Sequence, residues 1–228
     1  MYYTDWLRDF TMLEVEGIDN IPRSGKVIIA PNHSGIMGWD AIVLMNEIFR
    51  KRKRMPRAMT HAFWDSTPIL KYLGNKFGYF RADFKLGVKC LNRNNPLVIF
   101  PEAEHGNFKP SVKMYQLVDF NPGFVALAIM TETPVVPVAI IGAEENHINI
   151  GTIDWFEKKY GFKIPVPLNL LPIRSKWKIK FLKPISFAKY NRRDVRNQKF
   201  LFEVSQNIRF RIQAIIHTEL VKKGIFKT

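Results

Sequence analysis

The sequence predicts a single α/β domain, a mixed and mostly parallel sheet of roughly seven strands covered by helices. Three observations predict it. Short β-rich apolar runs alternate with longer helical stretches, the pattern of strands joined by crossover helices. The 228 residues contain no Gly/Ser/Pro-rich linker or internal repeat that would divide them, so residues 1–228 read as one domain. The 46% apolar and 24% charged content is that of a globular chain and excludes disorder, collagen-like and coiled-coil compositions.

The elements follow in order. Residues 1–16 open with Tyr2, Tyr3, Trp6, Leu7 and Phe10 around Asp5, Arg8 and Asp9, a helical segment suited either to a membrane interface or to capping the core. Lys26 to Ala30 (KVIIA) is a buried strand because apolar and β-branched residues run without alternation. A loop to Gly38 precedes a helix from Trp39 to Phe49. Arg57 to Phe63 and Gly78 to Ala82 are further strands, and Leu86 to Leu91 is a helical crossover into the strand Pro96 to Phe100, which Pro101 ends. A helix at Gly123 to Met130 and strands at Val135 to Ile141 and Trp177 to Leu182 complete the sheet. Pro137 has no N–H to give a ladder, which predicts an edge or a bulge there. Leu201, Val204, Ile208, Ile212, Ile215 and Leu220 trace one face of a long terminal helix packed on the sheet.

Charge and cysteine content narrow the function classes. A net charge of +15, with the run Arg50 to Arg54, suits nucleic acid, an anionic bilayer surface or phosphorylated substrates. No recognition-helix or single-strand-binding pattern supports nucleic acid. The lone Cys90 has no internal disulfide partner and no zinc-finger spacing, which predicts a reducing, cytoplasmic location. Met1 to Phe10 lacks the basic and apolar regions of a secretion signal. Gly123 to Ala143 is interrupted by Thr131-Glu132-Thr133-Pro134, so a bilayer contact is expected to be peripheral.

Nucleotide, dinucleotide, zincin and nucleophile-elbow motifs are absent. Two polar clusters remain, each just after a predicted buried strand: Asn32-His33-Ser34-Gly35-Ile36-Met37-Gly38-Trp39-Asp40 and Phe100-Pro101-Glu102-Ala103-Glu104-His105-Gly106. In an open α/β sheet, ligands bind at the carboxyl ends of the strands, so both clusters point to one crevice. A histidine held by a carboxylate is fixed in one tautomer, and its other nitrogen takes a proton from a hydroxyl. His33 and Asp40 suit those two parts. Ser34 is a rival nucleophile, discounted because adjacent residues on an extended loop point apart. His33, Asp40, Glu102, Glu104 and His105 include metal-ligand types, but none of their spacings is a recognised metal motif, so no metal is expected.

Taken together, the blocks PNHSGIMGWDA (Pro31 to Ala41), VIFPEAEHGNFK (Val98 to Lys109) and PVVPVAIIGAEE (Pro134 to Glu145) resemble the lysophospholipid acyltransferase family, and Leu171 to Ile185 is similar to the tail of a bacterial branch. The resemblance implies a glycerolipid acyltransferase-like fold. It implies transfer of a fatty acyl chain from acyl-CoA or an acyl carrier protein thioester to a hydroxyl of a lysophospholipid-type acceptor, with no cofactor. It matches His33 to the base, Asp40 to the acid that orients it, Glu102 to the acceptor motif and Pro137 to the motif on the later strand. The implied location is the inner face of the cell membrane, at an anionic surface.

Three departures stand out. Six residues separate His33 from Asp40, where the commonest family pattern has four. Ala103-Glu104-His105 replaces the usual Gly-Thr-Arg, which puts His105 where an arginine is expected. A second arginine position falls on Phe84, flanked by Arg81 and Lys85. Arginine supplies the fork for phosphate, so His105, Lys109, Arg81 and Lys85 become the substitute acceptor-binding residues. Loss of both forks also motivates the alternative of a catalytically inactive lipid- or acyl-carrier-binding protein.

Overall fold

A computed structural model describes residues 2–34, 38–60, 67–153, 164–169 and 171–224. Helix α1 (Tyr2–Phe10) leads into β1 (Glu14–Glu16) and β2 (Val27–Pro31). Then follow α2 (Trp39–Arg52), β3 (Arg57–Thr60), α3 (Pro68–Phe77), β4 (Tyr79–Arg81), α4 (Phe84–Asn92) and β5 (Pro96–Val98). The short α5 (Ala103–Asn107) precedes α6 (Gly123–Thr131) and β6 (Val135–Ile141). An excursion through β7 (Asn149–Ile153) and β8 (Ile164–Pro167) returns to β9 (Lys178–Phe181) and the long α7 (Gln198–Lys222).

Seven strands form one sheet in the order β1-β9-β6-β2-β5-β3-β4, and β7 and β8 pair separately. β6, β2, β5, β3 and β4 are mutually parallel, and β9 runs antiparallel to β6. The sheet is thus mixed and mostly parallel, and five strands deliver their carboxyl ends to one edge.

Strand alternation divides the core. Ile28, Ala30, Leu97, Val135, Ala139 and Ile141 join α4, α6 and α7 on one face, whereas Val27, Ile29, Val98, Val136, Val138 and Ile140 join α1 and α2 on the other. Both faces are covered, which explains why the central strands are continuously apolar. On α1, Leu7 is buried and Trp6 exposed. The buried Glu47 of α2 pairs with Arg8.

Pro137 is not at an edge, because β6 lies between β9 and β2. The bulge alternative describes the local geometry. Val138 pairs with Phe181 but Val135 bridges Ile185, so three steps along β6 oppose four along the partner. The extra residue falls opposite Pro137, whose missing N–H faces that irregular stretch, while its carbonyl accepts from Leu182 N–H at 2.9 Å.

The predicted strand from Arg57 ends at Thr60, and residues 61–63 lie outside the described residues. β1, α3, α5 and the β7–β8 pair were not anticipated. α3 carries a start signal, Thr67 before Pro68, and the Thr67 hydroxyl accepts the Leu70 N–H at 3.2 Å. Its apolar residues Ile69, Tyr72 and Phe77 are nonetheless exposed.

Candidate active site

The site lies where β2 and β5 end side by side. Asn32 continues β2 with its side chain: the carboxamide oxygen accepts the Ile140 N–H at 2.7 Å and its nitrogen donates to the Ile140 carbonyl at 3.0 Å. The buried amide therefore extends the β2–β6 pairing by one more step and sets His33 just past the sheet edge.

Asp40 occupies the first turn of α2. Gly38 precedes that turn with φ of 67°, a left-handed conformation that costs glycine little, and this lets a longer loop return the carboxylate to His33. His33 Nδ1 lies 2.8 Å from Asp40 Oδ2. The same oxygen accepts the Ser34 N–H at 2.7 Å, and Oδ1 accepts the Ala41 N–H at 2.8 Å. Asp40 is fully buried, whereas the His33 side chain keeps 17% of its surface exposed. An ionised carboxylate only accepts, so Nδ1 carries the proton and Nε2 is the basic nitrogen. The Phe100 ring tilts against the imidazole with centroids 4.3 Å apart. Residues 35–37 of this loop lie outside the described residues.

Glu102 joins the two clusters. Its Oε1 accepts the His33 backbone N–H and its Oε2 the Val118 N–H, both at 2.9 Å. Burial raises its pKa, against the Lys109 charge and the two backbone donors. Ala103, next in the chain, has φ of 52°, a strained conformation for a residue with a Cβ. At Gly106 an added Cβ would come within 2.6 Å of Glu102 Cβ, so glycine here makes room for the carboxylate's packing.

Lys109 is buried against a second acid. Its Nζ lies 2.9 Å from Glu144 Oε1, with side chains only 6% and 8% exposed, and it donates to the Gln116 carbonyl at 3.1 Å. Glu144 Oε2 accepts the Tyr115 N–H at 2.8 Å, and burial raises the Glu144 pKa despite Lys109. The Tyr115 hydroxyl donates to Glu145 and accepts the Gly142 N–H at 3.0 Å. The segment after β6 thereby braces the segment that follows Glu102.

The remaining predicted residues are spread out. His105 is exposed on α5. Arg81 and Lys85 are exposed around the end of the outer strand β4, three strands or roughly 14 Å along the sheet from β2. Pro137 is buried within β6. The structure brings His33, Asp40 and Glu102 together and places Lys109 behind them.

The Arg50 to Arg54 run sits at the far end of α2, about 15–20 Å from Asp40 along the helix axis. Arg50 pairs with Asp5 and Arg52 with Asp19, each at 2.8 Å, and Arg54 donates to the Pro22 carbonyl at 2.9 Å. These cations tie the amino-terminal segments to α2, at the opposite end from His33. Asn32, Gly106, Tyr115 and Glu144 were not singled out from sequence. Asn32, Gly106 and Glu144 stand inside the quoted blocks, whereas Tyr115 carries no local signal.

A buried carboxylate holding a partly exposed imidazole at the carboxyl edge of a mostly parallel sheet can take a proton from a bound hydroxyl. Residues 12–141 match the Acyltransferase family, and the chain belongs to that family. It is similar to an uncharacterized protein of Mycobacterium tuberculosis (strain ATCC 25618 / H37Rv), 28% identical over 99% of this chain and 65% of that protein. An uncharacterized protein of Mycobacterium leprae is 26% identical over 99% of this chain and 64% of its own length. The chain thus spans about two thirds of the length of these curated relatives. Its fold is like that of the crystal structure of the 1-acyl-sn-glycerophosphate (LPA) acyltransferase PlsC from Thermotoga maritima. The TM-score is 0.55, with 18% identity over 90% of this chain and 78% of that one.

Proposed function

We propose that the protein is an O-acyltransferase that moves a fatty acyl chain from acyl-CoA or an acyl carrier protein thioester to a hydroxyl of a lysophospholipid-type glycerolipid. The observation that carries this reading is the 2.8 Å contact between His33 Nδ1 and the buried Asp40. His33 Nε2 removes the acceptor's hydroxyl proton as the oxygen attacks the thioester carbonyl. Collapse of the tetrahedral intermediate breaks the C–S bond, forms the ester and releases the thiol, which takes up a proton. Asp40 holds the ring and stabilises the imidazolium formed in the first step. Glu102 is a positioning residue, because it accepts the His33 N–H rather than facing the imidazole. His105, Arg81 and Lys85 are the exposed groups available to acceptor or donor phosphates. The chemistry as written uses no cofactor, and a lipid acceptor supports a location at the inner face of the cell membrane.

Free-thiol release from long-chain acyl-CoA and from acyl carrier protein thioester, measured across lysophosphatidate, other lysophospholipids and neutral alcohols, tests the reading. Release that requires one acceptor class, with the matching ester formed, supports it. Release without acceptor assigns a thioesterase, and binding of acyl thioester without release assigns a binding protein.

A further inference from the structure

The chain between β6 and β9 forms an excursion at the carboxyl edge of the sheet, because β6 ends there and the antiparallel β9 begins there. Among its described residues the exposed apolar side chains are aliphatic. Ile150 is 63% exposed, Ile153 45%, Leu168 69% and Leu171 82%, and Val112, in the neighbouring turn, is 88% exposed. A bulge between Asn149 and Thr152 breaks the alternation of β7, so Ile150 and Ile153, three apart, both face outward while Asn149 is buried. An aliphatic patch of this kind marks a contact surface on a soluble domain.

The excursion is fastened to the site. The Asn149 side chain donates to the carbonyls of Phe108 and Lys109 at 2.9 and 3.1 Å, and its N–H donates to Ser111 Oγ at 2.8 Å. Asn146 Oδ1 accepts from Ser175 and Trp177, and its N–H2 donates to the Ile173 carbonyl. The patch is therefore tied to the segment that carries Lys109, beside Glu102.

Charge selects the occupant. From Asn146 to Lys176 the sequence carries five Lys and Arg against two acids, Asp154 and Glu157, and among the described residues Arg174, and Lys113 beside Val112, are exposed. Apolar side chains flanked by cations suit a bilayer whose surface is anionic. In the densest basic run, at the other end of α2, Arg50, Arg52 and Arg54 are by contrast engaged with Asp5, Asp19 and the Pro22 carbonyl.

We propose that the β7–β8 ribbon, with Ile150, Ile153, Leu168 and Leu171 inserted and Arg174 and Lys113 at the headgroups, docks the protein on an anionic bilayer with the His33 edge toward the lipid. This rests on the acyl-transfer reading for its purpose but not for its test.

The test uses vesicles of phosphatidylcholine with and without about 30 mol% phosphatidylglycerol. Cys90 is buried and burial raises its thiol to about 11, so Leu171→Cys and Ile69→Cys, the latter on exposed α3, can each be labelled with an environment-sensitive dye. The dye at 171 is expected to brighten and shift to the blue on anionic vesicles, and the dye at 69 to stay unchanged. The combined variant Ile150→Ser/Leu168→Ser/Leu171→Ser is expected to lose at least about tenfold in vesicle partitioning, since each exposed aliphatic side chain adds apolar area to the contact. A response at 69 with none at 171, or unchanged partitioning of the combined variant, overturns the proposal. So does a wild-type dimer that the combined variant dissociates, which would assign the patch to a second copy. Transfer to a water-soluble short-chain acceptor separates the two readings. Normal transfer without vesicle binding refutes docking alone, and vesicle binding lost on substitution, without any transfer, refutes the acyltransferase alone.

Discussion

The carboxylate of Glu102 accepts the backbone N–H of His33 at 2.9 Å, which locks together two segments 69 residues apart. The same carboxylate takes the Val118 N–H with its other oxygen. A buried acid with both oxygens committed to backbone donors serves as a brace, and its location explains why the Phe-Pro-Glu block stands beside the Asn-His loop. Asp40 has a parallel duty, holding the Ser34 N–H as well as the imidazole.

Asp40→Asn replaces an acceptor-only group by one that must present N–H2 to some of the donors of His33, Ser34 and Ala41. Turnover is expected to fall by about a hundred- to ten-thousand-fold. Steady-state rates, with circular dichroism to verify the fold, check it. Full activity would remove Asp40 from the mechanism.

Gly106→Ala pushes a methyl into the Glu102 side chain, which an added Cβ would approach to within 2.6 Å. Displacing Glu102 frees the His33 N–H, so kcat is expected to drop by about tenfold or more, as small displacements of positioned groups do. Donor binding, measured separately, is expected to be nearly unchanged. A loss confined to KM would place Gly106 in substrate contact instead.

Lys109→Met leaves Glu144 buried without its cation. The expected loss of stability is about 3–5 kcal/mol by urea unfolding. The pKa values of Glu144 and Glu102 are already raised by burial, so the folded state takes up protons as pH falls toward and below their raised values. The deficit of the variant is therefore expected to be smaller near about pH 5 than near about pH 8. Adding Glu144→Gln should restore part of the stability. A destabilisation equal at both pH values would contradict the pairing.

Glu219 gives the opposite sign. Burial works to raise its pKa, but hydrogen bonds from Lys178, Lys222 and Lys180 outweigh it and bring the carboxyl from 4.5 down to about 2. Its contribution to stability is fully present above 4.5 and is lost as pH falls from there toward about 2. Glu219→Gln should flatten the acid limb of unfolding free energy against pH, and an unchanged limb would assign the acid sensitivity elsewhere.

The main sheet was largely legible because its strands are buried on both faces and read as unbroken apolar runs, as Val27–Pro31 and Val135–Ile141 do. His33 and Asp40 stood out because both lie in one short stretch directly after such a strand. The partners of Lys109 were not legible. Glu144 reaches it from the segment after β6, which the parallel pairing of β2 with β5 and β6 sets beside the segment after β5, and there also accepts the Tyr115 N–H. β7 escaped notice because its bulge spoils the two-residue period, and α3 because its apolar residues face outward rather than into the core. Pro137 shows the same limit: its missing N–H implied an irregularity, but the sequence does not reveal that the irregularity falls on the partner strand.

The most direct test of the account is the acyl-transfer rate of His33→Ala against wild type, with the best thioester donor and acceptor and with folding verified. A fall of about a hundred- to ten-thousand-fold, with donor binding retained, is the predicted result. A folded His33→Ala protein that transfers at the wild-type rate would contradict the assignment of His33 as the base.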